Sequence, residues 1–306
     1  MSTASLSALT LFTVASLAGS AQVASAQPKP VATGVQTIVF DGAVVGLVSS
    51  VRGGLVVADA ITEPGPKGVG VKKRPSKSRV EPLVFDVQPV TMAKAFTEWL
   101  GNALTGAPAG RSAEVVTYDY SSKEVARRAF TNLRVTQIEF PGLDATSKES
   151  AFITVTAEAD SVVSTKGSGS PSLPKSQPAR ASNFKLALDG LDTSRVATIS
   201  SITVKISKGR AEASNFVVTL SEASSDQWER WHETFIVKGD GTDANEKKGA
   251  IEVLDASMKT PIMVLSLEGV GILRVAPLGD QDANPKSAVR RIEAQLYVES
   301  VRLEIR

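Results

Sequence analysis

Cysteine is absent from this sequence of 306 residues, and His232 is its one histidine. Without cysteine the chain can form no disulfide, has no thiol nucleophile and offers no thiolate to a metal. One histidine is too few for the common zinc sites built from histidine and cysteine. A Ser-His-Asp triad would have to use His232, and no G-x-S-x-G motif accompanies it. Because His232 lies in a predicted aromatic-rich helix, we interpret it as a packing or rim residue.

Carboxylates give no stronger indication of catalysis or metal binding. Glu158 and Asp160 are close in sequence, but both end a predicted exposed strand, where solvated charges are the usual explanation. The segment 280–291 opens like an EF-hand loop, yet Pro285 replaces the required glycine and Arg291 stands at the position of the bidentate glutamate. A weak calcium loop stays an alternative to a simple turn here. The sequence predicts a protein that is not an enzyme and needs no cofactor.

Long apolar runs are also missing, apart from a short one at the N-terminus. Leu6–Ala18 is apolar or small, and Ala24-Ser25-Ala26 fits a signal-peptidase site. No lysine or arginine precedes the apolar run, so a disordered Ala/Ser-rich arm is the alternative. We predict that residues 1–26 are a signal peptide and that the mature chain has no membrane span. The protein is then expected to be exported to the periplasm or the extracellular space.

Length and composition favour two globular domains. Apolar residues make up 42% and charged residues 22% of the chain, and the net charge is +2. Residues 161–182 are rich in Ser, Pro and Gly and are predicted to be a linker. The predicted domains are therefore residues 31–160 and residues 183–306.

Alternating apolar and polar residues predict a mainly β fold in both halves. The segment 151–158 alternates cleanly, and so does 292–299 near the C-terminus. Each half also begins with a strand that ends in Asp-Gly, at Asp41-Gly42 and at Asp189-Gly190, which is a strong hairpin turn sequence. We predict two tandem β-barrel or sandwich domains of the same architecture.

Each half also contains one predicted amphipathic helix. In the first half, Phe96 and Trp99 belong to an apolar stripe within residues 90–104, and Thr91 is available as N-cap. In the second half Trp228 and Trp231 share a face, with Ser224 or Ser225 as the cap. Such stripes are typical of a helix packed on a sheet, so these four aromatic residues are predicted to be packing residues.

The stretch Gly65–Arg79 is basic and contains no acidic residue. Its glycines, prolines and like charges predict no regular structure at its centre. Val71 occupies the lysine position of a P-loop, and no aromatic side chain is present for stacking on nucleic acid. A solvated surface loop and an assembly loop are the two interpretations. Its cations are Lys67, Lys72, Lys73, Arg74, Lys77 and Arg79.

The order of these parts carries a resemblance to a known family. The residues concerned are Asp41-Gly42, Phe96 with Trp99, Lys123–Arg127, and the corner Leu143, Asp144 and Ala145 followed by Ser147–Glu149. In this order they resemble the tail-tube protein family of contractile-tailed phages, which is related in fold to the tube protein of type VI secretion. The resemblance covers about residues 35–160, and the second half matches it in layout.

The resemblance implies a structural subunit that assembles with copies of itself into rings, which stack into a hollow tube or filament. It assigns contact with a neighbouring subunit or ring to Gly65–Arg79. A tandem copy would supply two positions of a ring, so three chains would form a pseudo-sixfold ring. Nucleic acid is not expected outside a lumen. The alternative is an exported, monomeric, β-rich binding or surface-attachment module.

Overall fold

The computed structural model of the chain describes residues 33–66, 70–169, 173, 178–278 and 290–306. The predicted signal peptide, Lys67 and the segment 280–285 lie outside the described residues. The described chain is mainly β, with one α-helix in each half, which confirms the predicted fold class.

The strands of the first half are β1 (Thr33–Phe40), β2 (Ala43–Gly53), β3 (Val56–Val57), β4 (Ala60–Pro64), β5 (Val71–Pro75), β6 (Arg79–Val80), β7 (Leu83–Val87), β8 (Arg111–Asp119), β9 (Glu124–Phe140), β10 (Leu143–Asp144), β11 (Ile153–Glu158) and β12 (Ser161–Lys166), and its helix is α1 (Lys94–Leu104). The strands of the second half are β13 (Phe184–Leu188), β14 (Val196–Ile199), β15 (Ile202–Ser207), β16 (Arg210–Ala213), β17 (Phe216–Ser221), β18 (Lys247–Leu254), β19 (Pro261–Pro277) and β20 (Arg291–Ile305), and its helix is α2 (Asp226–His232). Short helical turns span Pro89–Thr91, Glu222–Ser224, Glu233–Val237 and Asp243–Asn245.

A closed barrel of six strands forms the first half. Its strands follow the order β11-β7-β2-β1-β8-β9, and β9 pairs again with β11 to close the ring of strands. Asp41 and Gly42 join β1 to β2 with positive φ angles of 49° and 81°, as a type I′ turn requires. The hairpin predicted from the Asp-Gly dipeptide is present at this position.

The strands of the second half pair in the same order as those of the barrel, except that one strand pairing is missing among the described residues. The sheet of this half runs β10-β14-β17-β20-β19-β18-β13. The strands β13, β14, β17, β18, β19 and β20 pair in the same order as β1, β2, β7, β8, β9 and β11. The ladder that joins β1 to β2 has no counterpart between β13 and β14 among the described residues, so this half is an open half-barrel.

Irregularities in strand pairing also fall at corresponding places. The β8–β9 register shifts between Arg111 and Ala113, and the β18–β19 register shifts between Lys247 and Gly249. Further along, Thr136 has no partner in the β9–β11 ladder, and Leu273 has none in the β19–β20 ladder. A β-bulge fixes local register. The two halves therefore align residue by residue along these strands.

The half-barrel is open because the chain after Asp189-Gly190 turns away from β13. Gly190 has a φ of +71°, but the Asp192 carboxylate then accepts hydrogen bonds from the Ser194 N–H (3.0 Å) and hydroxyl (2.6 Å). This Asx-turn interrupts the strand that would pair with β13. Thr193 donates its hydroxyl to the Leu186 carbonyl at 2.7 Å, which occupies part of the free edge. The same dipeptide therefore ends a strand in both halves but closes a hairpin in the first.

The predicted linker begins with a strand. Residues Ser161–Lys166 form β12, which pairs with Ala126–Thr131 of β9. In the second half, the C-terminal part of β20 occupies the corresponding position beside β19. Backbone pairing to a neighbouring edge outweighs the low apolar content of this segment. The described residues belong to one compact unit, and one hydrophobic cluster includes side chains of both halves.

The helix of the first half begins later than the sequence pattern predicted, and the helix of the second half begins directly after one of its two predicted caps. Pro89–Thr91 is a separate 3₁₀ turn, and α1 begins at Lys94 with Ala93 as N-cap. The Thr91 hydroxyl accepts from the Leu47 N–H and donates to the Gln88 carbonyl, both at 2.9 Å, so it does not cap α1 as expected. Ser225 is at the N-cap position of α2, but its side chain makes no capping hydrogen bond.

The basic stretch contains regular structure, contrary to the prediction. Val71–Pro75 forms β5, which pairs antiparallel with β4 from Ala60↔Pro75 to Pro64↔Val71. Closer to the barrel, β3 pairs with β6. Antiparallel pairing within one hairpin satisfies the backbone although β5 is exposed at all five positions. We call the segment from Gly54 to Pro82 the arm.

Candidate assembly surfaces

The four predicted helix-packing residues lie in the core. Phe96 and Trp99 are buried, and their ring centroids are 5.6 and 5.4 Å from that of Phe40 on β1. Trp228 and Trp231 are buried on the corresponding helix, 6.5 Å apart. Aromatic pairs at these distances stabilise a helix on its sheet. The four residues that the apolar stripes predicted to be packing residues are therefore all buried.

The two central tryptophans make the same polar contact. Trp99 donates its indole N–H to the Ala109 carbonyl at 2.9 Å, and Trp231 donates to the Asn245 carbonyl at 3.1 Å. Each acceptor precedes the first residue of the next strand by two positions. This bond ties each helix to the entry of the strand that follows it, at matching points of the two halves.

A cation covers each aromatic cluster. The Arg111 guanidinium lies 5.0 Å from the Phe40 ring centroid, and the Lys247 ammonium lies 5.1 Å from that of Trp231. Both cations occupy the first residue of a strand. Burial lowers the pKa of Lys247, while the nearby Asp189 opposes that shift. These cations are therefore part of the packing around the two aromatic clusters.

The two halves are joined by a ladder between β9 and β15. β8 ends its pairing with β9 at Leu133, and β15 continues along the same edge. Its pairs are Ile202↔Phe140, Thr203↔Glu139, Val204↔Ile138 and Lys205↔Gln137. Ile202, Val204, Ile138 and Phe140 are all buried. A hairpin of the second half is therefore an extension of the sheet of the first half.

The predicted corner makes the reverse connection. Leu143 and Asp144 form β10, which pairs with Ile199 and Thr198 of the second half, and the Ala145 N–H donates to the Ala197 carbonyl at 2.9 Å. The Asp144 carboxylate accepts from the Thr146 N–H and hydroxyl, each at 2.7 Å. These bonds hold the pKa of Asp144 below its usual value. The corner thus adds a short strand of the first half to the sheet of the second.

The arm exposes apolar side chains at its base and along its length. Leu55 is 51% and Val56 60% exposed, although both lie beside the barrel. Farther along the arm Ile61 and Val71 are also exposed. An apolar group on a two-stranded projection gains little from its own chain and is typical of a surface that contacts a partner.

Two of the arm's described cations are paired within it. Arg74 contacts Glu63 across the β4–β5 ladder, and Arg79 lies 3.4 Å from Asp59. No carboxylate of the described residues forms an ion pair with the remaining described cations, Lys72, Lys73 and Lys77. The predicted assembly residues that the structure describes are therefore divided between charges that hold the arm together and charges that face solvent.

A charged cluster fixes the hairpin between β8 and β9. Arg127 donates to both carboxylate oxygens of Glu124 at 2.8 and 2.9 Å and also contacts Glu114. Glu124 is only 5% exposed. The bidentate bond to Arg127 lowers the pKa of Glu124 and raises that of Arg127. Glu124 and Arg127 lie within the Lys123–Arg127 segment on which the family resemblance depends.

The carboxylates weighed for catalysis have structural partners or face solvent. Asp160 accepts from Arg134 at 3.0 Å and from Asn132 at 2.7 Å, while Glu158 is exposed. No group of three or more metal-ligating side chains occurs among the described residues. Within the same residues, no helix has the length and apolar character needed to cross a membrane.

Sequence reasoning missed the hairpin of the second half that pairs with β9 of the first half. The hairpin 202–213 was not identified, although Ile202, Val204 and Ile206 alternate with polar residues and Lys208-Gly209 follows them. Lys208 and Gly209 both have positive φ, of 50° and 75°, at the hairpin turn. The alternation and the turn could have revealed a hairpin, but the long-range pairing of β15 with β9 leaves no local pattern.

Comparison with known proteins gives structural matches only. No protein-family model and no curated protein matches the sequence. Among solved structures, the tube-terminating cap of the anti-feeding prophage is 20% identical, with a TM-score of 0.39, over 46% of this chain and 94% of that chain. The sheath–tube complex of the extracellular contractile injection system PVC is 20% identical, with a TM-score of 0.37, over 46% of this chain and 94% of that one. The anti-feeding prophage baseplate matches at 10% identity, with a TM-score of 0.37, over 45% and 96%. Over about half of its length, the chain is thus similar to components of contractile injection systems.

Proposed function

We propose that this protein is a structural, non-enzymatic subunit that assembles with copies of itself into rings, and that the rings stack into a tube or filament. The observation that carries the proposal is the exposed arm beside a barrel whose layout the second half repeats. In the second half the corresponding hairpin is buried against β9. In the first half the hairpin is extended, and its apolar residues face solvent.

The repeated layout favours a tandem duplication and a pseudo-sixfold ring of three chains. Matching strand order, matching bulges and matching tryptophan contacts support two equivalent units in one chain. Contacts that join unlike surfaces close into a ring when their rotation allows it. Two units per chain would then occupy two adjacent positions of that ring.

The distal part of the arm is proposed to contact the next ring. Lys72 and Lys73 are exposed there, Lys77 is exposed just after it, and all three can contact carboxylates of another copy. Interactions between exposed charges weaken as salt rises. Deletion of residues 60–75, with Asp59 joined to Ser76, is expected to leave rings intact and to shorten or abolish tubes. Tubes of unchanged length would show that stacking does not use this part of the arm.

Electron microscopy of the purified chain tests the function itself. Rings or tubes support the structural role, and isolated particles at every concentration and ionic strength support the monomeric binding module. Export is part of the proposal, and N-terminal sequencing of the native protein tests it. A native chain that begins after residue 26 supports export, whereas retention of residue 1 contradicts it.

A further inference from the structure

The two halves insert a hairpin at the same point of their layout. In the first half the arm follows β2, and in the second half the hairpin β15–β16 follows β14. At the base of the arm the Glu81 N–H donates to the Leu55 carbonyl at 3.0 Å, and in the second half the Ser214 N–H donates to the Thr203 carbonyl at 2.8 Å. Leu55 therefore corresponds to Thr203, and Val56 to Val204.

Corresponding residues of these hairpins differ in burial. Val204 is 1% exposed because β15 lies against β9, whereas Val56 is 60% exposed. Among the described residues, β3 pairs with β6 alone. An unpaired strand edge with apolar side chains is a template for another strand. The first-half hairpin has the features of a strand whose partner lies outside its own chain.

The second half offers an edge that corresponds to the one β15 occupies. The β18–β19 ladder ends at Lys247↔Val270, and β19 continues to Pro277 with β20 on one side. Among the described residues, no strand pairs with the other side of residues 271–277. Proline cannot donate a backbone hydrogen bond, so Pro277 is compatible with an edge strand.

Pairing irregularities give the register of this edge. The residue without a partner is Thr136 in the first half and Leu273 in the second. Counting on from these two residues, Ile138 corresponds to Val275 and Glu139 to Ala276. The ladder Val204↔Ile138 therefore has a vacant counterpart, in which Val56 would face Val275.

We propose that β3 of one copy pairs antiparallel with the C-terminal edge of β19 in a second copy, with Leu55 opposite Ala276 and Val56 opposite Val275. This inference rests on the proposed assembly and specifies its contact within a ring. It continues the ladder that joins the halves within one chain, so each chain receives a strand at one end and donates one at the other. Such a head-to-tail contact closes into a ring when its rotation allows it.

Engineered cysteines test this register directly, because the chain has no native cysteine. Thr203 uses its N–H and its carbonyl toward Ser214, so Thr203↔Glu139 is a pair without hydrogen bonds in the ladder with β9. Such pairs have Cα atoms about 4.5 Å apart, which suits a disulfide. The corresponding test pair is Leu55→Cys with Ala276→Cys in the full chain.

The expected result is an interchain disulfide in the L55C/A276C variant. Under mild oxidation most of the monomer band should move to linked species on a non-reducing gel, and a reductant should reverse the shift. The intrachain control, T203C/E139C, should form its disulfide within one chain, so it should form no interchain-linked species on the gel. The negative control, L55C with Val163→Cys on the exposed strand β12, should stay monomeric.

A second measurement does not depend on disulfide geometry. Val56→Asp places a charge in the proposed ladder, whereas Val57 corresponds to the exposed Lys205, so Val57→Asp is the matched control. V56D should raise the concentration needed for half-assembly by about tenfold or more, and V57D should change it far less. If the wild type forms rings but L55C/A276C does not cross-link and V56D has no effect, the proposed pairing of β3 with β19 is wrong, while the proposed ring assembly still holds. A wild-type chain that stays monomeric would overturn both.

Discussion

Val204 of the second half lies opposite Ile138 of the first half, and both side chains are buried in the shared core. Replacing Val204 by Ala removes two methyl groups from this contact and leaves a small cavity. We expect V204A to lower the free energy of unfolding by about 1.5–3 kcal/mol. Urea unfolding at a concentration that keeps the chain monomeric measures this change.

The matched variant is Val56→Ala at the corresponding, exposed position of the arm. Because Val56 is 60% exposed, V56A should change the free energy of unfolding by less than about 0.5 kcal/mol. A loss as large as that of V204A would contradict the assignment of Val56 to a surface.

The tryptophan contacts predict equal effects in the two halves. Trp99→Phe and Trp231→Phe each remove one indole N–H bond to a backbone carbonyl while keeping an aromatic ring. Each variant should lose about 1–2 kcal/mol of unfolding free energy. Thermal or urea unfolding checks the values, with Tyr120→Phe as control because Tyr120 is 80% exposed. Loss of stability in one variant only would weaken the equivalence of the halves.

Glycine substitutions should change stability with opposite signs. Gly42 has a φ of +81° in the turn between β1 and β2, so Gly42→Ala should cost about 1–2 kcal/mol although no atom obstructs the added methyl group. Gly101 lies in α1 with ordinary helical φ and open space, so Gly101→Ala should stabilise by up to about 1 kcal/mol. Melting temperatures distinguish the two, and a lower value for G101A would show that the helix needs this glycine.

The ion pair between the buried Glu124 and the half-buried Arg127 predicts a pH dependence of stability. The folded pKa of Glu124 lies below its usual value, so the pair contributes fully above the unfolded pKa of about 4.3 and is lost as the pH falls through the folded pKa. Glu124→Gln should cost about 1–3 kcal/mol at pH 7, and less at pH 3.

Urea titrations of wild type and E124Q between pH 7 and pH 3 measure that difference. The exposed Glu158→Gln is the control and should follow the wild type at each pH. A constant difference between wild type and E124Q across the range would contradict the role of the charged pair.

Local sequence patterns predicted the parts of this fold that local physics determines. The stripe containing Phe96 and Trp99 predicted a packed helix, and Asp41-Gly42 predicted a tight hairpin, because periodicity and positive φ act within a few residues. The identical dipeptide at Asp189-Gly190 does not close a hairpin, since the Asx-turn at Asp192 follows it. The preference of Asp-Gly for a hairpin and the preference of Asp192 for an Asx-turn compete here, and neither motif alone shows which of the two prevails.

Long-range pairing could not be predicted in the same way. The ladder between β15 and β9 joins residues far apart in sequence, and its register depends on the edge that β8 leaves free. The strands of the arm were not predicted either, because β5 is exposed, is rich in lysine and arginine, and shows no alternation of apolar and polar residues. These strands are held by backbone pairing within the hairpin, to which composition is a poor guide.

The number of chains in a ring tests the central claim most directly. Cryo-electron microscopy of the purified full chain, with native mass spectrometry of the smallest stable assembly, gives that number. Two similar units per chain, joined head to tail, predict three chains with three barrels and three half-barrels alternating around one axis. A chain that stays monomeric at all concentrations, or a ring in which only one half of each chain contacts its neighbours, would contradict the account.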